Sequence, residues 1–438
     1  MKRWRLLVSL ALSLGCIVAL LWPLRSSPSV MAALPDDVPA SLARPHDPVV
    51  MAGSTLIELA DQPLDEIFVY AYRDAALAQI PSQIDERDAN GVYVPVEDDQ
   101  LDGNDELVFM ASDAGGWIDL PWLNVGGRYI MPTYVITLTD PLDGGQAWAY
   151  LFCSAALSRT ATSDYVLYDA GTERISAPER YTIGFDATYG FPDFLTLGSG
   201  DEDLLDRTKL RISGTVYDVP FAIDEEDITV NSVHVLDGPV RVTRVSSLTL
   251  TALGGSVEAL TNLHAYRSQI VQPAAFAVPP APAQTTYLRS SLDWNEQASG
   301  MVYYDANNPA GATVDGVPDA IAVSPPTSWT QVGDATGAIV NVSAIPPAVG
   351  GTPSTYYADD SVLDASDTGD QRSYGDAGFQ VSDPNPGIYA MLGQIYVLTG
   401  TTSNVGAIHQ GYAFQPLQVS LEVMPPVEYI YLPILFGN

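Results

Sequence analysis

The chain has 438 residues, of which 53 are acidic and 19 are basic, and its formal net charge at pH 7 is −34. A surface this acidic repels phosphate groups, so the composition excludes nucleic acid and anionic membrane surfaces as partners. The length predicts two or three domains with sizeable cores.

The first 33 residues have the layout of a secretion signal. A basic start with Lys2, Arg3 and Arg5 precedes an apolar run over 6–24, and small residues follow it. The same run is just long enough to span a bilayer. The segment is therefore either a cleaved signal or a retained anchor, and a membrane is a partner only in the second case. Both alternatives predict an extracellular or cell-surface location.

The remaining chain is divided by composition into four parts. Residues 34–50 form a proline-rich leader that we expect to be poorly ordered. An N-terminal β-domain is predicted over 51–157 and a larger β-sandwich domain over 158–415. A C-terminal strand and tail follow over 416–438.

Alternating apolar and polar residues predict strands along most of the chain. The clearest runs with a period of two lie at 133–139, 247–252 and 417–423, separated from other runs by clusters of turn-forming residues. A short helix is expected only near 201–207. The predicted fold is all-β, with antiparallel β-sandwiches and a supersandwich-like larger domain that carries long loops.

Cysteine is nearly absent from this exported chain. Cys16 lies within the signal, which leaves Cys153 without a partner for a disulfide. Stability must therefore come from core packing or from a metal ion.

Three acidic loops contain residues that calcium favours as ligands. The first is predicted to lie between strands at 92–96 and 106–111, and its Asp-Gly pair is equally typical of an ordinary hairpin turn. A third acidic stretch runs over 359–376. Calcium is the one cofactor predicted, without any organic cofactor. The candidate ligands are Asp98, Asp102, Asn104 and Asp105 in the first loop, and Asp305, Asn307, Asp315 and Asp319 in the second.

Candidates for catalysis and ligand binding are few. Asn262, His264 and Tyr266 alternate along one predicted strand, and together they could supply the acid, base and charge neutraliser that β-elimination of an acidic polysaccharide needs. The alternative is an ordinary polar strand face. Among the tryptophans, Trp294 has the most polar neighbours and is our candidate for a contact with a sugar ring.

Two segments resemble a motif of secreted bacterial proteins. They are 80–86, with Pro81, Gln83 and Asp85, and 102–109, which begins Asp-Gly and ends Asp-Glu-Leu-Val-Phe. These proteins form a domain-of-unknown-function family that is similar to the mutarotase-like and polysaccharide-lyase-like β-supersandwich proteins. The resemblance implies a carbohydrate-related β-sandwich, and it transfers no catalytic residues.

Two hypotheses about function follow. In the first, the protein is a secreted or cell-surface β-protein that binds polysaccharide or cell-envelope components and is stabilised by calcium. In the second, it is a carbohydrate-active enzyme, either a polysaccharide lyase or a glycoside hydrolase.

Overall fold

The computed structural model describes residues 37–119, 121–160, 163–252, 254–401 and 403–424. These residues divide into two compact units. The smaller unit contains 37–163 and the returning segment 416–424, and the larger unit contains Asp164–Gln415. The predicted signal and the end of the predicted tail lie outside the described residues.

The first eleven strands belong to the smaller unit, together with four short 3-10 helices. The strands are β1 (Asp37–Val38), β2 (Pro48–Ala52), β3 (Ile67–Arg73), β4 (Ala76–Gln79), β5 (Ser82–Asp85), β6 (Glu106–Met110), β7 (Trp117–Ile118), β8 (Leu123–Val125), β9 (Arg128–Ile130), β10 (Tyr134–Thr139) and β11 (Gln146–Cys153). The 3-10 helices are Gly53–Thr55, Ile57–Leu59, Leu64–Glu66 and Ala111–Asp113.

The strands that follow form the larger unit. They are β12 (Leu167–Asp169), β13 (Arg174–Ala177), β14 (Tyr181–Phe185), β15 (Pro192–Leu197), β16 (Leu205–Val216), β17 (Val219–Asp224), β18 (Ile228–Asp237), β19 (Arg241–Ala252), β20 (Gly255–Tyr266), β21 (Gln269–Val278), β22 (Ala283–Trp294), β23 (Val302–Asp305), β24 (Ala312–Thr313), β25 (Trp329–Gly333), β26 (Gly337–Ser343), β27 (Thr352–Asp360), β28 (Ser373–Ser382) and β29 (Gly387–Thr399).

The remaining elements are one α-helix, three 3-10 helices and a last strand. They are α1 (Gly406–Phe414), the 3-10 helices Glu225–Asp227, Glu296–Ala298 and Pro347–Val349, and β30 (Gln418–Val423). Every strand pair within the described ranges is antiparallel, which confirms the predicted all-β antiparallel fold.

The smaller unit is built around a five-stranded sheet in the order β30-β10-β11-β3-β4. One face packs on the three-stranded sheet β2-β6-β5 through a core that includes Ile136, Leu151 and Phe109. Aromatic side chains such as Trp148 and Phe152 are buried on the opposite face. Because both faces are covered, the central strand β11 is an almost continuous apolar run.

The leader segment of the smaller unit is ordered from residue 37 onward. Arg44 is fully buried, and its guanidinium forms a bidentate pair with Asp140 at 2.7 Å for both contacts and a further bond of 2.9 Å to Asp47. The expectation of poor order therefore fails for residues 37–50. The physical reason is that Asp140 and Asp47 pair with the guanidinium of Arg44, whose charge would otherwise be unpaired in the core, and so hold the segment in place.

The larger unit is a sandwich whose core receives side chains from three sheets. A nine-stranded sheet has the order β18-β19-β20-β21-β29-β26-β25-β23-β24, a five-stranded sheet has the order β17-β16-β22-β28-β27, and a four-stranded sheet contains β12 to β15 in sequence. Val242 of the nine-stranded sheet, Leu292 of the five-stranded sheet and Ile183 of the four-stranded sheet belong to one continuous apolar cluster. This arrangement leaves the outer face of the five-stranded sheet free for polar side chains.

The predicted strand runs are confirmed where the alternation is clean. The runs 133–139, 247–252 and 417–423 correspond to β10, the end of β19, and β30. Two local predictions are wrong. Residues 201–207 contain the start of β16 rather than a helix, and 92–96 form no strand beyond an isolated bridge between Tyr93 and Arg87.

Burial of a carboxylate on β15 predicts a pH-dependent loss of stability. Burial and the charges of Asp186 and Asp203 raise the pKa of Asp193 to about 6. Between the unfolded and the folded pKa, the folded state holds a proton that the unfolded state releases. The contribution of Asp193 to the unfolding free energy is therefore greatest at low pH, and it is lost as the pH rises from about 4 to 6.

We therefore expect Asp193→Asn to gain about 1–2 kcal/mol in unfolding free energy relative to the parent at pH 7, and little at pH 4.5. Urea unfolding at both pH values measures the difference. The exposed Asp201→Asn serves as the control. An equal effect of Asp193→Asn at the two pH values would contradict the assignment.

Candidate functional site

The outer face of the five-stranded sheet carries an unusual density of charge. Along β16, Arg207, Lys209 and Arg211 point to this face, because alternate residues of a strand share one side. A register shift between Leu205 and Arg207 allows the neighbouring Asp206 to approach the same face. The pairing of β16 with β22 sets Arg207 opposite Asp293. Leu292, which precedes Asp293 on β22, projects to the other face and belongs to the apolar core.

Lys209 lies at the centre of this face and is completely buried. Its Nζ is 2.6 Å from Asp293 Oδ2 and 2.5 Å from Asp367 Oδ2. Burial alone would lower the pKa of Lys209, but the negative charges of Asp293 and Asp376 outweigh burial and raise it. The ammonium is therefore held in its charged form by the surrounding carboxylates.

Two buried carboxylates beside Lys209 are incompletely satisfied. Asp293 is fully buried and its Oδ1 has no hydrogen-bond partner, while Asp376 is 1% exposed and neither of its oxygens has one. Leu292 pairs with Ala377 at the last paired position of β22 and β28. One position further along the two antiparallel strands, Asp293 lies beside Asp376 on the charged face. Burial and the charge of Asp376 raise the pKa of Asp293 well above its usual range.

The loop between β27 and β28, residues 361–372, covers this face. Asp367 accepts hydrogen bonds from Lys209 and Arg211, and the backbone N–H of Asp370 donates to Asp206 Oδ1 at 3.1 Å. Gly369 adopts a positive φ of 71°, and a Cβ at this position would lie 1.9 Å from Asp206 Oδ2. The close approach of the loop therefore requires glycine.

The two arginines of the same face both pair with Glu225. Arg211 pairs with Glu225 and Asp367, and Arg207 pairs with Glu225 and Glu226. Glu225 is completely buried and also accepts the backbone N–H of Leu210. Lys209 is the cation that contacts Asp293.

Three of these aspartates form a group with the spacing of a metal site. Asp206, Asp293 and Asp370 each offer an oxygen, and the three oxygens lie within 4.8 Å of one another. Within the described part of the chain, no other set of three acidic, histidine or cysteine residues meets that criterion. Burial and the charge of Asp370 raise the pKa of Asp206 to about 6. We call Asp206, Asp293, Asp370 and Asp376 the aspartate cluster.

The first predicted calcium loop uses several of its polar groups within the chain, and Asp102 is half-buried. Asp105 is fully buried and accepts the backbone N–H groups of Arg87 and Asp102, while Asn104 donates to the carbonyls of Arg87 and Asp88. Asp98 accepts from the backbone of the second residue after it. These bonds are typical of turns, and the binding of calcium here stays a prediction.

The second predicted loop has the same character. Asp305 is fully buried and accepts from the backbone of Asn307, from Asn308 and from the hydroxyl of Tyr303. Asp315 accepts the N–H of the second residue after it, and Asp319 lies 3.4 Å from the Tyr357 hydroxyl. Asn307 donates to the carbonyl of Pro325. Calcium binding at this loop also stays a prediction.

The candidate catalytic residues lie on β20, as the sequence alternation predicts. His264 and Tyr266 are nearly fully buried, and both are bonded to the neighbouring strand β19. Thr243 Oγ1 is 3.0 Å from His264 Nδ1, and Arg241 donates to the Tyr266 hydroxyl at 3.2 Å. Asn262 is half-buried. This is the arrangement of a packed strand face, and the catalytic role stays a prediction.

The structure exposes a different tryptophan from the one chosen from the sequence. Trp294 is 1% exposed and lies in the core of the larger unit, where only a movement of the sheets would admit a sugar. Trp122, by contrast, is 47% exposed and contacts Tyr129, which is 66% exposed, with ring centroids 5.2 Å apart.

Trp122 and Tyr129 belong to a tight hairpin. Tyr129 of β9 pairs with Asn124 of β8, and Asn124 Oδ1 accepts the N–H of Gly127 in the turn. Asn124 lies directly opposite Tyr129 in the strand pair, and the Trp122 ring contacts the Tyr129 ring, so the three residues lie on one side of the hairpin. We call Trp122, Asn124 and Tyr129 the aromatic hairpin face.

Asp370 and Asp376 lie in the acidic stretch 359–376 noted in the sequence, whereas nothing in the sequence singled out Asp206 or Asp293. A usable signal was present, because Lys209 is the one lysine after residue 33 and alternates with Arg207 and Arg211 along a strand. A buried cationic strand face requires acidic partners on adjacent strands. Which acids those are depends on the strand order.

Comparison with known proteins assigns no family. No family model matches the chain, and no curated protein matches it. Among solved structures, an α-mannosidase from Enterococcus faecalis is 8% identical with a TM-score of 0.44, covering 88% of this chain and 46% of its own. An α-N-acetylgalactosaminidase from Bifidobacterium bifidum is 12% identical with a TM-score of 0.35, covering 55% and 38%.

A third structure, a putative aldose 1-epimerase from Escherichia coli, is 10% identical with a TM-score of 0.26 and covers 54% of this chain and 98% of its own. The chain therefore spans less than half the length of the first two structures that it matches. At these identities and TM-scores, the likenesses assign no activity to the chain.

No helix within the described ranges has the length and apolar character needed to cross a membrane.

Proposed function

We propose that the protein is exported and binds carbohydrate at the cell surface or in the extracellular space through the aromatic hairpin face. The observation that carries the proposal is the exposed contact between Trp122 and Tyr129. Two exposed aromatic rings side by side offer apolar faces on which a ligand can stack.

The chemistry of the aromatic hairpin face suits a sugar. A pyranose ring presents C–H groups that pack against aromatic rings, and its hydroxyls need polar partners beside those rings. Asn124 is exposed on the same side of the hairpin and offers an amide. Residues 80–86 and 102–109 resemble a domain-of-unknown-function family of secreted proteins that is similar to carbohydrate-related β-supersandwich proteins, which supports the same class of ligand.

A glycan array probed with the secreted full-length chain tests the proposal, followed by calorimetric titration of any glycan that binds. We expect Trp122→Ala to weaken that binding at least about tenfold, since buried aromatic contacts dominate most interfaces. Phe414→Ala removes a ring that is 45% exposed at the end of α1 and should leave the affinity unchanged.

Equal binding by the parent and Trp122→Ala would remove the aromatic hairpin face as the contact. Degradation of a glycan in the same screen would favour the carbohydrate-active enzyme, a lyase or a hydrolase, over a binding protein.

A further inference from the structure

We propose that Asp206, Asp293 and Asp370 bind a divalent cation of the calcium class, and that the cation fastens the 361–372 loop to the five-stranded sheet. The spacing of the ligands fits this ion. Calcium lies about 2.3–2.6 Å from each oxygen, so two ligand oxygens can be at most about 5 Å apart. The three aspartate oxygens are within 4.8 Å of one another.

An independent observation is the carboxylate of Asp376, which is almost fully buried with both oxygens unpartnered. Its charge acts on Lys209 and on Asp293, which places it at the same centre. A buried carboxylate without a partner is costly, and a second one opposite it on the adjacent strand adds repulsion. A positive charge at this centre would remove both costs.

The positive charges already present form no hydrogen bond with Asp376. Lys209 has a single ammonium, and it is shared between Asp293 and Asp367. Arg207 approaches Asp206 only to 3.5 Å and is engaged by Glu225 and Glu226. Because Asp370 is exposed and Asp293 is fully buried, a cation could enter from solvent and reach the buried end.

The chemistry of the ligands limits the kind of cation. All three are carboxylates, and no thiol or imidazole belongs to the group. Carboxylate oxygens favour hard cations such as calcium, magnesium and manganese over zinc or copper. The ligands come from two strands and a loop, and such a flexible set suits calcium better than magnesium, which requires near-ideal octahedral geometry.

The loop would be held by the cation through Asp370. Without the ion, its contacts to the sheet include the N–H bond from Asp370 to Asp206 and the bonds that Arg211 donates to Asp367 and Thr368. A cation joined to Asp206 and Asp293 on the sheet and to Asp370 on the loop would add a second attachment. The loop should then open less often when the ion is bound.

The test uses the full secreted chain after treatment with EDTA and desalting. Titration with calcium chloride should show one site by calorimetry. At a hundredfold excess over the dissociation constant, calcium should raise the melting temperature by about 5 °C or more. Magnesium chloride should give a smaller shift. A chain that binds no calcium, or that melts at the same temperature with and without it, overturns the proposal.

Variants locate the site. Asp370→Asn changes the exposed ligand and should weaken calcium binding at least tenfold, whereas Asp364→Asn changes an exposed aspartate of the same loop outside the group and should bind as the parent does. If Asp370→Asn binds calcium as tightly as the parent, the ion lies elsewhere, for example in the loops at 98–105 or 305–319, and the proposal fails.

A measurement on the unmodified chain avoids dependence on variants. Trypsin can cut after Arg372 at the end of the loop, and calcium should slow this cleavage severalfold relative to EDTA. Cleavage after Arg128, in the exposed hairpin of the smaller unit, provides the internal reference. Unchanged cleavage after Arg372 would show that the ion does not hold the loop. None of these measurements uses glycan binding, so they succeed or fail independently of the proposed function.

Discussion

Replacing Lys209 by methionine will lower the unfolding free energy of the larger unit by about 3–5 kcal/mol. The ammonium is fully buried and lies 2.6 Å from Asp293 Oδ2 and 2.5 Å from Asp367 Oδ2. Methionine fills a similar volume but leaves both carboxylates without their counter-charge. The cost arises from unpaired buried charge rather than from the loss of the ion pair alone.

Urea unfolding in EDTA at pH 7 measures this effect without a contribution from bound cations. The double variant Lys209→Met with Asp293→Asn should recover part of the loss, because it removes one of the two charges that the single change leaves unpaired. Arg128→Met, which removes an exposed positive charge, should change stability by no more than about 0.5 kcal/mol. A loss below about 1 kcal/mol for Lys209→Met would mean that the carboxylates are already neutral.

Replacing Arg44 by methionine will destabilise the smaller unit by a similar amount, about 3–5 kcal/mol. The Arg44 side chain is completely buried and spans two acids, with two bonds of 2.7 Å to Asp140 and one of 2.9 Å to Asp47. A bidentate guanidinium–carboxylate pair is among the stronger charged contacts in proteins. Its loss also removes one attachment of the leader segment, whose Ser41 and Leu42 N–H groups still donate to the Gln146 carbonyl.

The pH dependence of Arg44→Met provides a second measurement. The hydrogen bond from Arg44 lowers the pKa of Asp140. Since a lowered carboxyl pKa stabilises the folded state above the unfolded pKa, that part of the stability is lost as the pH falls through the folded value. The difference between parent and variant should therefore be larger at pH 7 than near pH 3, as urea unfolding at both values will measure. A difference that does not depend on pH would contradict the role given to Asp140.

The strands could be predicted from the sequence because the pattern that marks a strand involves only neighbouring residues. In β10 and β30 the alternation of apolar and polar residues directly reflects one buried and one less buried face. The same argument could not locate the end of the smaller unit, because β30 pairs with β10 across more than 270 intervening residues. Pairing over such a separation leaves no mark in either strand alone.

The opposite placements of Asp293 and Trp294 show where local composition misleads. Polar neighbours made Trp294 the sequence-based candidate for a ligand contact, but adjacent residues of a strand project to opposite faces. Asp293 therefore joins the charged face while Trp294 enters the core. The exposed tryptophan is Trp122, whose exposure depends on what packs around its hairpin.

The sequence by itself determined that this is an acidic, all-β chain with two cysteines, and it predicted export. Composition and a period of two are properties of neighbouring residues, and they suffice for those conclusions. Only the tertiary structure decided which acids meet. Asp206, Asp293 and Asp370 come from β16, β22 and the loop before β28, and they converge because β16, β22 and β28 are adjacent in one sheet. Strand order is set by the packing of the whole core, which no local pattern encodes.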